Sequence, residues 1–160
     1  MENLQLEKIL LKIYSCLKKD MILLFVRDKT LYAGSASIMF KIPVSLEDTW
    51  IVPQFMSADE LKEAIKMICF GNYIEKENYK EKNSHFHGTA ERLFSDRKQG
   101  ECEQIILDVK LLKLICDVSS LLGKEKCKKI KINPSNDHPN RFFLGDTENT
   151  EAEVILMGMR

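Results

Sequence analysis

The sequence predicts an α+β fold in two halves, each ordered strand, helix, strand, strand, with helices packed on one face of antiparallel sheets. Residues 4–19 and 109–122 show apolar side chains at helical spacing. Short apolar or alternating runs, typical of strands, follow both stretches. Residues 75–103 separate the halves and carry thirteen charges in 29 positions. We therefore predict one domain over residues 1–160, with halves at about 1–74 and 104–160 and a charged insertion or loop between them.

The first half begins with an amphipathic helix over residues 4–19. Its apolar side chains recur every three or four residues, at Leu6, Ile9, Leu10, Ile13 and Leu17. A short strand at residues 3–6 is predicted to precede the helix, and Asp20 to end it. Residues 21–26 form an apolar run that suits a buried strand.

An extended segment and a second helix complete this half. Residues 30–44 read as extended chain, and the small side chains at 33–37 allow a bulge or a close backbone approach. Ser57 and Glu60 have the spacing of a capping box, which predicts a helix start. The apolar stripe that follows ends near Gly71. Trp50 is interpreted as a packing anchor.

The insertion at 75–103 reads as a surface connection with a short helix at residues 89–94. His85 and His87 form an H-x-H pair there. A metal site needs three or four converging ligands, so we predict no metal and no cofactor. The chain has no phosphate-binding glycine motif, no nucleophile motif and no acid–base pair at a meaningful spacing. We predict no catalytic residue and a protein that is not an enzyme.

The second half repeats the plan of the first without detectable identity. Residues 104–107 read as a short strand and 109–122 as a helix that ends at Gly123. Residues 128–133 alternate lysine and isoleucine, as in a strand with one buried face. Further strands are predicted at 141–144 and 154–159.

The charges balance, with 24 basic and 24 acidic residues. This balance argues against a protein wholly devoted to nucleic acid, although a local basic surface is compatible with it. Residues 104–133 hold seven lysines against three acids, and residues 134–160 hold two arginines against five acids. We therefore expect a basic helical surface and an acidic strand surface. Lysines on the solvent side of any soluble helix are the competing explanation.

Five cysteines occur, an odd number, and no C-x-x-C motif is present. Cys16 and Cys116 lie within apolar helical patterns, so we expect buried thiols in a reducing compartment. The N-terminus does not resemble a signal peptide, and no apolar run approaches the ~18 residues of a membrane span. We predict a cytoplasmic protein with no membrane partner.

The second half resembles the last part of a bacterial beta clamp, the DNA sliding clamp. The likeness lies in the helix "VKLLKLICDVSSLLG", the strand "KIKINP", the turn and strand "NRFFLGD", and the ending "ILMGMR". Beta clamps close on Met-Pro-Met-Arg, and this chain has Gly158 in place of the proline. Residues 4–46 resemble the family more loosely.

The resemblance implies a DNA-clamp-like fold and a non-enzymatic role in DNA replication, processivity or repair. Clamp helices contact duplex DNA phosphates through basic side chains without reading bases. The corresponding lysines here are Lys8, Lys12, Lys19, Lys110, Lys113 and Lys124. In beta clamps the terminal residues border a groove for partner peptides. By the same resemblance Met157, Met159 and Arg160 would bind a peptide motif of a replication or repair protein.

A beta clamp chain carries three such domains and closes a ring from two chains, whereas this chain has room for one. A ring of six domains would need a homo-oligomer of six copies. The alternative is a protein–protein interaction module with a clamp-like fold and no DNA role, from a phage or mobile element. For Met157 and Met159, ordinary packing in the strand is the competing explanation. A small enzyme of unrecognised type is the third alternative.

Overall fold

The structure is a computed structural model that describes residues 2–74, 79–96, 106–122, 129–134, 139–145 and 150–157. These residues form an α+β fold, as predicted. The fold has one sheet with helices on both faces, which corrects the prediction of helices on one face only. The α-helices among them are α1 (Asn3–Leu17), α2 (Ala58–Cys69), α3 (Tyr79–Ser95) and α4 (Val109–Leu122). The strands are β1 (Leu23–Arg27), β2 (Thr30–Gly34), β3 (Ile38–Pro43), β4 (Thr49–Ile51), β5 (Lys129–Asn133), β6 (Asn140–Gly145) and β7 (Thr150–Leu156). Short 3-10 turns lie at Lys18–Asp20 and Pro53–Phe55.

The seven described strands form one sheet in the order β4-β1-β2-β3-β7-β6-β5, and all neighbours are antiparallel. Strand β7 lies between β3 and β6, with Met39 opposite Ile155 and Phe142 opposite Val154. The last described strand is therefore an interior strand of the sheet. It begins four residues earlier than the predicted Val154.

One face of the sheet is apolar along its length. Since side chains alternate between the two faces of a strand, the register places on this face Leu24, Val26, Leu31, Ala33, Phe40, Ile42, Val154, Phe142 and Leu144. All of them are at most 1% exposed. Helix α1 packs between α2 and α4 over this face, and α4 contacts β6 and β7. The side chains of this face, together with the helix side chains packed on them, form most of the hydrophobic core.

The opposite face is aromatic over the first half of the sheet. Phe25 lies opposite Tyr32 in strand β2 and opposite Trp50 in strand β4. Helix α3 covers these rings, so that Trp50 is 4% exposed. Its role as a packing anchor is confirmed. Farther along this face the register continues through Lys41, Glu153, Phe143 and Lys131, a mostly polar row.

The extended segment at 30–44 contains two strands joined by a tight turn. Gly34 ends β2 with φ +152°, and the amide of Ser35 donates to the carbonyl of Ile38 at 2.7 Å. A Cβ atom on Gly34 would lie 2.1 Å from that carbonyl oxygen. The predicted close backbone approach is therefore confirmed, and it produces a hairpin in place of continuous chain.

Polar caps begin two of the helices. Ser57 accepts from the amide of Glu60 at 3.3 Å, and the Glu60 carboxylate accepts from the amide of Ser57 at 2.7 Å. This confirms the predicted capping box. Asp108 caps α4 by accepting from the amides of Lys110 at 2.7 Å and Leu111 at 3.1 Å. Gly71, with φ +72°, follows α2 where its end was predicted.

The strand predicted before the first helix is wrong. Residues 3–6 belong to α1, because the Glu2 carbonyl accepts from the amides of Gln5 and Leu6 and thereby starts the helix. Leu6 also continues the buried stripe of α1, which contains the five predicted side chains. For the second half, residues 106–108 precede α4 without regular structure, and residues 104–105 lie outside the described part.

The predicted surface connection holds a helix of 17 residues, α3, where a short helix at 89–94 was expected. The inward side of α3 carries Tyr79, His87, Ala90 and Phe94, each at most 7% exposed. Their spacing is helical, but Tyr79 and His87 are amphipathic and Ala90 is small. The sequence therefore shows no apolar stripe that would indicate the helix.

Candidate nucleic-acid interface

Whether the predicted lysines of α1 and α4 can act together depends on how the two helices pack. The side-chain amide of Gln5 donates to the carbonyl of Leu121, and the Lys12 ammonium lies 2.9 Å from the Asp117 carboxylate. The start of α1 therefore meets the end of α4, and the helices run side by side in opposite directions. They present one continuous surface to solvent.

The burial pattern explains which side chains reach this surface. In α1 the buried positions are those of the predicted apolar stripe, which leaves Lys8 and Lys12 on the far side of the helix. In α4 the buried positions are Leu114, Ile115, Val118, Ser119 and Leu122. Lys110 and Lys113 are consequently exposed. Lys19 follows α1 in the 3-10 turn and is exposed as well.

A groove of about 530 Å³ runs between the two helices. The side chains that line it are Lys8, Leu11, Lys12, Ser15, Asp117, Ser120 and Leu121. The two hydroxyls donate to carbonyls of their own helices, Ser15 to Lys12 and Ser120 to Cys116, so the two ammonium groups are the donors that the groove offers to an anion. We call this groove together with Lys19, Lys110 and Lys113 the α1–α4 surface.

The residues that define the α1–α4 surface are five lysines, the carboxylate of Asp117 and uncharged side chains, and Asp20 and Asp108 lie within two residues of Lys19 and Lys110 in the chain. Asp117 neutralises part of the charge of Lys12, whose side chain is 43% exposed. Within the described ranges, Lys8, Lys19, Lys110 and Lys113 have no carboxylate within salt-bridge distance. The surface therefore has a net positive charge that remains available to a partner.

The remaining predicted site residues have different positions. Lys124, Met159 and Arg160 lie outside the described residues. Met157 directly follows β7, and its amide donates to the carbonyl of Ser37 in the β2–β3 turn at 2.9 Å. Its side chain is 44% exposed. The structure thus places Lys8 and Lys12 in the groove, Lys110 and Lys113 on the exposed side of α4, and Lys19 in the turn after α1. Met157 lies at the end of β7, an interior strand.

Sequence reasoning missed Asp117 and the groove serines. These residues join the lysines only because α1 and α4 are neighbours, and a single helical pattern carries no information about the facing helix. The lysine spacing in α1 was a usable signal, since residues four and seven apart share a helix face.

Sequence reasoning also missed a polar cluster under α3. His87 is 3% exposed, and one of its ring nitrogens lies 2.7 Å from an Arg27 guanidinium nitrogen. The other lies 3.1 Å from the Glu91 carboxylate. His87 had been considered only as half of an H-x-H pair.

The cysteines differ in environment. Cys69 is fully buried, and desolvation, with a smaller effect of the Glu7 carboxylate, raises the pKa of its thiol to about 12. Cys16 is half-buried, whereas Cys116 is exposed, which corrects the prediction of a buried thiol there. Cys116 lies on the solvent side of α4, opposite Ile115 and Val118. Cys102 and Cys127 lie outside the described residues.

Among the described residues, no group of three or more His, Cys, Asp or Glu side chains could hold a metal ion. The helices of the described ranges are each too short or too polar to cross a membrane. No protein family model, curated protein or solved structure matches this chain.

Proposed function

We propose that this protein is a non-enzymatic, clamp-like factor that contacts the phosphates of duplex DNA through the lysines of the α1–α4 surface. The observation that carries the proposal is that Lys8 and Lys12 of α1 line one open groove with residues of α4, whose Lys110 and Lys113 are also exposed, and that Asp117 is the one acidic side chain among the groove residues. Phosphate contacts by lysine give affinity without base readout. A role as a replication or repair accessory factor follows from such binding.

The topology supports a two-half, clamp-like arrangement. Helix α1 precedes β1, β2 and β3, and helix α4 precedes β5, β6 and β7. The sheet order β1-β2-β3 is mirrored by β7-β6-β5 across the β3–β7 pair. The two leading helices contact each other on the apolar face. A pair of helices over a sheet with such pseudo-symmetry supports the resemblance in residues 4–46 and 104–160, whereas each half, as far as the structure describes it, begins with its helix in place of the predicted strand.

The test is an equilibrium titration of a fluorescent DNA duplex at salt concentrations from about 50 to 200 mM. We expect affinity that is independent of base sequence and falls steeply with salt. Each lost phosphate contact lowers the magnitude of the log–log slope by about 0.9, so Lys8→Gln/Lys110→Gln/Lys113→Gln should lower it by about 2.7 if all three lysines contact phosphates.

The matched control is Lys29→Gln/Lys80→Gln/Arg92→Gln, which removes the same charge from exposed positions away from the α1–α4 surface. It should leave the slope unchanged. Asp117→Asn should tighten binding, because it removes the carboxylate that competes with phosphate for Lys12. Equal effects of the two triple variants, or affinity that does not respond to salt, would rule out this surface.

Particle mass by light scattering decides how DNA could be held. A mass near six chains would be consistent with a ring of six clamp-like domains, and retention on circular DNA would then be measured. A monomer or dimer would restrict the protein to an open contact with DNA.

The second candidate function is that of a protein–protein interaction module with no DNA role. The favouring observation is Met157, a flexible apolar side chain that is 44% exposed at the end of β7. Met157→Asp/Met159→Asp should then abolish capture of a replication or repair partner, while duplex binding by the wild-type protein would be absent. If the double variant still captures the partner, this end of the sheet is not the binding site.

A further inference from the structure

Among the described polar side chains on the aromatic face of the sheet, the imidazole of His87 is the most deeply buried. It is 3% exposed, although it belongs to a helix whose outer positions are polar. The ring packs edge-on against three aromatic rings of the sheet, at centroid distances of 5.1 Å to Phe25, 5.6 Å to Trp50 and 6.1 Å to Tyr32. His87 is therefore a central contact between α3 and the sheet.

The hydrogen bonds of His87 fit a neutral ring. A guanidinium nitrogen of Arg27 lies 2.7 Å from Nδ1 and 3.3 Å from Nε2 of the ring; because a guanidinium can only donate, we assign the nearer atom, Nδ1, as the acceptor. Its Nε2 atom lies 3.1 Å from Glu91 Oε1 and donates to that carboxylate. One imidazole thus links a cation on β1 to an anion on α3, and this assignment places the single proton of the neutral ring on Nε2.

Other described contacts of α3 are apolar packing and hydrogen bonds from an arginine. Tyr79, Ala90 and Phe94 are buried against the sheet. The Arg141 guanidinium donates to the carbonyls of Leu93 at 2.6 Å and Phe94 at 2.9 Å, and so satisfies the C-terminal end of the helix. Among the described side chains of α3, His87 is therefore the buried contact whose charge can change near neutral pH.

We propose that α3 is a pH-sensitive cover over the aromatic face, docked on Phe25, Tyr32 and Trp50 while His87 is neutral and released toward solvent when His87 takes a proton. An imidazolium ring has no free lone pair at Nδ1, so it loses the bond from Arg27 and places two cations in contact. It also carries charge into an apolar contact, which burial disfavours. The inference does not depend on the DNA proposal, because α3 covers the face opposite α1 and α4.

The described charged groups that face His87 come from α3, β1 and the β1–β2 turn, and each affects its pKa. Burial lowers the pKa of His87 from its ordinary 6.5, the Glu91 carboxylate on α3 raises it, Arg27 on β1 lowers it, and Asp28 in the β1–β2 turn raises it. Tyr32 on β2 stays a neutral phenol, since its pKa is raised by burial and by Glu91. The net direction is downward, so the docked state is favoured fully above pH 6.5 and is weakened as pH falls through the lowered pKa.

Hydrogen exchange measured by mass spectrometry on the full chain tests the cover, with rates corrected for intrinsic pH dependence. Below pH 6.5 we expect the opening equilibrium of α3 to rise by up to tenfold per pH unit, the limit for one proton. Amides of α1 and β2 should keep their protection. Trp50 is the only tryptophan in the chain, so its quenching by acrylamide should increase in parallel.

The decisive variant is His87→Gln, since glutamine can accept from Arg27 and donate to Glu91 but does not titrate. It should abolish the pH response of α3, whereas the control His85→Gln, on the same helix, should retain it. Arg27→Gln should raise the pKa of His87 in an NMR titration, and Glu91→Gln should lower it further.

Three outcomes would overturn the proposal. The first is protection of α3 that does not change from pH 7.5 to about 5, a range that spans histidine titration. The second is an undiminished pH response in His87→Gln. The third is simultaneous loss of protection in α1 and α3, which would mean global unfolding in place of release of one helix.

Discussion

Single residues control the sharpest features of this fold. Gly34 is the residue at which strand β2 turns into β3, and its φ of +152° and its contact with the Ile38 carbonyl leave no room for a side chain. Gly71 also has a positive φ, of +72°, but its Cβ position is open. Substitutions at the two glycines therefore distinguish the free-energy cost of a positive φ alone from the added cost of a steric clash.

We predict that Gly34→Ala lowers the free energy of unfolding by about 2–4 kcal/mol, since the new methyl group meets a backbone oxygen that cannot move without opening the hairpin. Gly71→Ala should cost only about 1 kcal/mol, the strain of a left-handed residue. Urea denaturation monitored by Trp50 fluorescence gives both values. Equal costs at the two positions would contradict the clash.

At the scale of secondary-structure elements, the helices differ in what stabilises them. Helix α1 is stabilised by its buried stripe and begins without a side-chain cap. Helix α2 begins with a reciprocal cap between Ser57 and Glu60. Helix α3 is held by the contacts of His87, Phe94 and Arg141 to the sheet. The sequence marked α1, α2 and α4 clearly because their stabilising features are local.

The capping box gives an element-scale prediction. Ser57→Ala should lower the free energy of unfolding by about 1 kcal/mol, because the amide of Glu60 loses its acceptor and the exposed start of α2 frays. The control is Ser120→Ala, which removes only a bond from an exposed hydroxyl to the Cys116 carbonyl within α4. Its effect should stay within about 0.5 kcal/mol. Thermal or urea unfolding measures both, and comparable losses would argue against the cap.

At the scale of the whole molecule, the β3–β7 pair and the α1–α4 contact join residues that are more than a hundred positions apart. Because these contacts unite the sheet and its helical layer, a defect in the second half should weaken the first half as well. Trp50 reports on the first half of the sheet, at the β4 edge. It can therefore detect damage introduced at the other end.

We predict that Phe142→Leu, which shortens a fully buried side chain in β6, lowers the free energy of unfolding by about 1–2 kcal/mol. The midpoint reported by Trp50 fluorescence should shift together with the midpoint from far-UV circular dichroism. Ile132→Ala on the edge strand β5, where the side chain is 41% exposed, should cost clearly less. If Phe142→Leu does not shift the unfolding midpoint reported by Trp50 fluorescence, the two halves unfold independently.

The lysines of the candidate site could be predicted from the sequence, whereas the residues that contact them in the fold could not. The lysines of α1 and α4 followed from helical spacing within each helix, which is a local property. Asp117, which pairs with Lys12, could not be assigned because the two residues lie 105 positions apart and meet only through packing. The Arg27–His87–Glu91 cluster was missed for the same reason, since β1 and α3 are joined by tertiary contact alone.

The sequence by itself determined the α+β class, the stripe of α1, the capping box of α2, the bounds of α4 and the close backbone approach within residues 33–37. Each depends on periodicity, capping or backbone freedom within a few residues. Only the tertiary structure decided that β7 lies inside the sheet between β3 and β6, and that α3 covers the aromatic rings. The physical reason is that strand pairing and helix docking are chosen by surfaces distant in the chain, whose complementarity exists only once the chain has folded.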